Sequence, residues 1–135
     1  MRGHPFGNED LQERLRIAIW GSDEQLAMTR LVRSFPSLRG AAGIEPWNPR
    51  AFVAWVCSSD MSPSGELAAR FVLQVWAPQA DWRRVAEYLG VSGERLGHFD
   101  AVDAMRRWDD VHRRAFAAWA ATPFFGTANA VVQDP

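Results

Sequence analysis

Asn48-Pro49-Arg50-Ala51-Phe52-Val53-Ala54-Trp55-Val56-Cys57 is the stretch on which the fold class turns. Residues 51–57 are apolar on every side and rich in β-branched and aromatic types, as is Phe71-Val72-Leu73-Gln74-Val75-Trp76, so both runs suit a buried strand as well as a buried helix. Their flanks favour helix. Asn48 is a capping residue, and Pro49 falls in the first helical turn, where its missing N–H leaves no bond unmade. Ser62-Pro63 repeats that arrangement ahead of the second run, with Ser64 as the alternative start, and Glu66 and Arg70 stand at the i,i+4 spacing of a helical ion pair. An all-α fold is therefore expected, with 51–57 and 71–76 as the strands of an α+β fold as the alternative.

The flanking sequence reads the same way. Asn8 can cap a helix whose stripe is Leu11, Leu15, Ala18 and Ile19 and which stops at Gly21. Ser22-Asp23-Glu24-Gln25 has the spacing of a capping box ahead of Leu26, Leu31, Val32 and Phe35, and Pro36 ends that run. Pro36, Gly40, Gly43 and Pro46 make residues 36–47 a loop. From Asp100 onward, Ala101, Met105, Trp108, His112, Ala115 and Trp119 recur at helical spacing, predicting one long C-terminal helix to about Ala121. Asp103 and Arg107, Asp109 and Arg113, and Asp110 and Arg114 would be its i,i+4 pairs. The sum is a single domain over 1–135 of six or seven short helices with a long C-terminal helix as the last. Residues 1–7 and 126–135 would be extended tails, with Phe124-Phe125 docking back on the body.

Composition narrows the function classes. A hydrophobic fraction of 47% is far from the signature of disorder. Fifteen basic residues against sixteen acidic ones leave a net charge of -1, which exerts no long-range pull on a polyanion and argues against nucleic acid as partner. All fifteen are Arg, a bias that fits a GC-rich bacterial or phage genome. The single Cys57 excludes an internal disulfide and fits a cytoplasmic setting, where it is expected as a small buried hydrophobe. Met1 to Gly7 lacks the apolar run of a signal peptide, and no stretch approaches the roughly 20 apolar residues of a membrane helix.

One local motif has a familiar form. Val85-Ala86-x-x-Leu89-Gly90-Val91-Ser92-x-x-x-Leu96 resembles the helix-turn-helix of bacterial DNA-binding proteins. On that reading Ser92 caps a second helix, and Ser92, Arg95 and His98 would face DNA from within residues 82–99. With Trp82 included, the same residues resemble the second and third helices of death-fold domains, helical bundles that work by binding one another. The second resemblance covers only about 15 residues, and Trp108 follows Gly90 too soon for that family's later helices. Over residues 82–121 seven arginines face six acids, so no basic face accumulates for phosphate.

No catalytic constellation stands out: there is no Gly-rich phosphate loop or serine elbow, and Cys57 has no histidine near it in sequence. His98, Asp100, Asp103, Asp109 and His112 form the one cluster with ligand character. It lacks matching carboxylates on other helices, so a hydrogen-bonded His112 beside solvated aspartates is expected and neither metal nor cofactor is. Seven tryptophans are the compositional excess. Trp55, Trp76, Trp108 and Trp119 lie on predicted core faces, whereas Trp20, Trp47 and Trp82 sit at helix ends or in the loop. Those three, with Arg83 and Arg84, are the candidate partner contacts. The function expected is thus non-enzymatic: a module that binds another protein or a second copy of itself, with the helix-turn-helix regulator as the alternative.

Overall fold

The computed structural model describes residues 23–126, and among these all regular structure is helical. The expected helix after Asn8, with Trp20 and Ser22, and the tail beyond Gly126 lie outside the described residues. Six α-helices follow in order: α1 (Asp23–Arg33), α2 (Pro49–Ser58), α3 (Pro63–Trp76), α4 (Trp82–Leu89), α5 (Ala101–Arg107) and α6 (Asp110–Ala121). The two ambiguous runs are both helices. Asn48 Oδ1 accepts from the Ala51 N–H at 3.1 Å, Ser62 Oγ accepts from the Gly65 N–H at 3.1 Å, and a proline opens each helix, as the flanking sequence indicated.

α3 lies at the centre. Leu67, Ala68, Ala69, Phe71, Val72, Leu73, Val75 and Trp76 are all buried, which leaves only narrow polar edges at Glu66, Arg70 and Gln74. α1, α2 and α5 pack directly on it, as does a 3-10 turn at Pro36–Leu38. Aromatic rings fill the space between: Phe35 meets Phe71 edge-on at 5.8 Å and Trp108 at 5.3 Å, and Phe71 also touches Phe99, Phe116 and Trp119.

The loop from 36 to 47 is tied down rather than splayed. Thr29 Oγ1 donates to the Ile44 carbonyl at 2.6 Å, Gln25 Nε2 to the Trp47 carbonyl at 3.1 Å, and the Asn48 N–H to the Gly43 carbonyl at 2.8 Å. At Gly43 (φ +79°) an added Cβ would stand 2.5 Å from the Asn48 carbonyl oxygen, so only glycine closes this turn.

Two expectations need correction. The long C-terminal helix is two: α5 ends at Arg107, Trp108 is extended (φ -73°, ψ 144°), and Asp109 starts α6 by accepting from the His112 N–H at 2.9 Å. The break turns the Trp108 ring into the core at 2% exposure, where its indole N–H donates to the Ser64 carbonyl at 3.1 Å. Asp109 is thereby taken from the expected pair with Arg113, which instead donates to the Trp108 carbonyl at 2.8 Å; the Asp103–Arg107 and Asp110–Arg114 pairs form at 3.0 and 2.8 Å. The Glu66–Arg70 pair gives way likewise, because Glu66 faces Arg95 at 3.8 Å and Arg70 turns to the carbonyls of Glu94 and Arg95.

The segment before the tail docks on the body. Phe124 packs on the core, and the Gly126 N–H donates to the Val75 carbonyl at 2.7 Å. Because Trp108 both fills the core and ends a helix, Trp108→Ala is expected to lower the free energy of unfolding by about 3–5 kcal/mol, read from urea denaturation followed by circular dichroism.

Candidate functional site

The region that gathers the most sequence-predicted site residues is a surface cleft where α4 begins. Asp81 caps α4 by accepting from the Arg83 and Arg84 N–H groups. At the other end Gly90 takes the left-handed conformation (φ +70°), and the Val91 N–H returns to the Ala86 carbonyl at 3.0 Å, so the chain reverses. The returning strand of chain, turned again at Gly97 (φ +144°), comes to lie opposite the start of α4. Between them opens a cleft of about 670 Å³, with Ala80, Asp81, Trp82 and Arg83 on one wall and Gly93, Glu94, Leu96, Gly97 and His98 on the other.

Trp82 is half-buried, its ring resting against the core, while Arg83, Arg84 and His98 are exposed. Neither Arg83 nor Arg84 has a side-chain partner among the described residues. Tyr88, one helical turn on, lies under the Arg50 guanidinium, which is 5.1 Å from the ring centre and donates to the Tyr88 hydroxyl at 3.0 Å. α4 therefore carries tryptophan, tyrosine and arginine on different sides: Trp82 at its core edge, and Arg83, Arg84 and Tyr88 exposed. Trp47 does not belong to this surface. It is buried at 3% exposure against Phe52 and Trp76, because the loop that carries it is held down on α1; its indole N–H has no partner among the described residues.

The second helix of the helix-turn-helix motif is not formed. Residues 92–99 are irregular apart from a turn closed by the Leu96 N–H on the Gly93 carbonyl at 3.1 Å. Gly93 and Gly97 disfavour helix, and Arg70 occupies the carbonyls of Glu94 and Arg95 that a helix would have used. Ser92 Oγ lies 3.3 Å from Glu94 Oε2 and caps no helix.

Arg95 is committed to structure. Its guanidinium donates to the carbonyls of Val56, at 2.9 Å, and Ser59, closing the C-terminal end of α2, and faces Glu66. Ser92, Arg95 and His98 thus share no helical face. Cys57, next to this clasp, is half-buried rather than fully buried; burial pushes its thiol up, opposed by the Arg95 charge.

His112 is hydrogen-bonded on both sides, as expected, but through a partner the sequence did not suggest. Its Nδ1 lies 2.8 Å from Asp109 Oδ1 and its Nε2 lies 2.8 Å from Ser37 Oγ, a serine–histidine–aspartate chain spanning 75 residues of sequence. The ring is 5% exposed and packed beside Phe35 and Trp108. The Asp109 side chain is 67% exposed and is already the cap of α6, so the chain of hydrogen bonds acts as a clasp that docks the start of α6 on the 3-10 turn. No group of three or more His, Cys, Asp or Glu side chains able to hold a metal ion occurs among the described residues.

Two measurements test these assignments. Arg95→Leu is expected to lower stability by about 1–3 kcal/mol through the unbonded carbonyls of α2, measured by chemical denaturation. Hydrogen bonds from the His112 backbone and ring hold the Asp109 carboxyl below its ordinary value of 3.8, and the Arg114 guanidinium does the same for Asp110. A carboxylate whose folded pKa is lowered contributes stability that is complete above its ordinary value and lost as the pH falls through the lowered one. Asp109→Asn with Asp110→Asn, which keeps a capping amide, should therefore flatten the acid limb of a stability–pH curve below about pH 4 and leave the neutral plateau less affected.

No protein-family model matches this chain, and no match was found among curated proteins or solved structures.

Proposed function

We propose that this chain is a non-enzymatic helical module that binds another protein, or a second copy of itself, through the face built on α4. The observation that carries the reading is the convergence of Trp82, Arg83 and His98 on one cleft; the same helix carries an exposed Arg84 and the tyrosine of the Arg50–Tyr88 stack. Trp, Tyr and Arg are the side chains most enriched at the energetic centres of protein interfaces, because each offers a large, stiff contact area with a polar end. The disposition of the remaining polar groups supports it too. Arg95, His112, Asp109, Asp100 and Asp81 each close a helix end or clasp two elements, a structural use that fits a binding module.

Size-exclusion chromatography with light scattering, run on the protein alone and with a partner captured from its native host, is the direct test. A complex that forms with the native protein and weakens by tenfold or more with Trp82→Ala, while the helical circular dichroism signal stays unchanged, is the expected result. A strict monomer with no partner, or a complex indifferent to both Trp82→Ala and Arg83→Ala, refutes the reading.

A further inference from the structure

The hydrogen-bond chain that clasps α6 to the 3-10 turn also has the disposition in which a histidine activates a serine. Asp109 Oδ1 accepts from the His112 backbone N–H at 2.9 Å and lies 2.8 Å from Nδ1, so one oxygen is fixed from two directions. Those two bonds lower the Asp109 pKa and keep the carboxyl ionised, and an ionised carboxylate only accepts. In the neutral ring Nδ1 therefore carries the proton, and Nε2 turns a lone pair to Ser37 Oγ, 2.8 Å away. Phe35 and Trp108, with ring centres 5.8 and 5.9 Å from that of the imidazole, hold it in this orientation. Ser37 itself is half-buried, and the start of α3 faces it: a Cβ on Gly65, in the first turn of that helix, would stand 3.6 Å from the Ser37 Cβ. The positive end of the α3 dipole thus lies beside the serine, where it favours negative charge developing next to Oγ.

We propose that Ser37 is a nucleophile that takes an acyl group from an activated carboxylic ester, with His112 as its base and Asp109 as the residue that positions His112. In that step Oγ bonds to the ester carbonyl carbon, the Oγ proton passes to His112 Nε2, the bond to the leaving alcohol breaks, and the alcohol departs with the proton. The product is an O-acyl serine. The transfer is a single modification without turnover, consistent with a module that is not an enzyme. It is independent of partner binding, since no residue of the α4 cleft takes part.

p-Nitrophenyl acetate is a suitable probe, because the chain has no lysine to compete for the acetyl group. The native protein is expected to release p-nitrophenolate in a burst of one equivalent and to carry the acetyl group on the Ser37 peptide in mass spectrometry. The rate should be at least about a hundredfold above that of the same protein unfolded in urea. Ser37→Ala should abolish both the burst and the adduct. Asp109→Asn, whose amide oxygen still accepts from the His112 N–H, should keep the helical circular dichroism signal. It should lower the limiting rate by about tenfold or more while the half-saturating ester concentration stays unchanged. The absence of a burst, acetylation only at other residues, a Ser37 adduct formed as fast in urea, or a limiting rate indifferent to Asp109→Asn in the folded protein overturns the proposal.

Discussion

Helix α3 has almost no side that water can be allowed to reach. From Leu67 to Trp76 it buries residues in every direction, and the other elements are placed by the need to cover it. α1 and α2 do so from the N-terminal half, and α5 together with the aromatic side chains of α6 from the C-terminal half. A helix without a polar face cannot stand alone in solution, so the surrounding elements are held in place chiefly by the apolar area they share with it. The 3-10 turn at Pro36–Leu38 serves the same end: it brings Leu38 into the core and sets Ser37 where His112 can meet it.

Much of this was legible in the sequence, and what was legible was local. Asn48, Ser62 and Asp100 announce helix starts through side chains that bond to backbone three residues away. The Asx or Ser oxygen and the N–H it caps are fixed by the chain itself, whatever the rest of the molecule does. The same holds for Gly90, whose left-handed turn closes α4.

The features that escaped were all decided at long range. A continuous helix from Asp100 to Ala121 and a broken one bury nearly the same seam, and spacing alone cannot separate them. The Ser64 carbonyl, 44 residues away, waits for the Trp108 indole and settles the matter. Ser92 offered a cap for a helix that never forms, because Arg70 takes the carbonyls and Arg95 is drawn to the end of α2. Trp47 sits among turn residues and is buried nonetheless, since Thr29 and Gln25 pull its loop inward. Of the candidate site, Trp82 and Arg83 could be named from composition and position. Arg50 and Tyr88 could not, because only the fold brings residues 38 positions apart into a stack.

Gly126 carries a consequence of its own. A single methyl group added there would stand 2.1 Å from the Trp76 carbonyl oxygen, at the very end of α3. A side chain at that position therefore requires the backbone to move, which its place near the edge of the fold would not suggest. Substitution by alanine would prise the Phe124-Phe125 segment off the body and unroof Trp119, opening the aromatic interior from its least conspicuous corner.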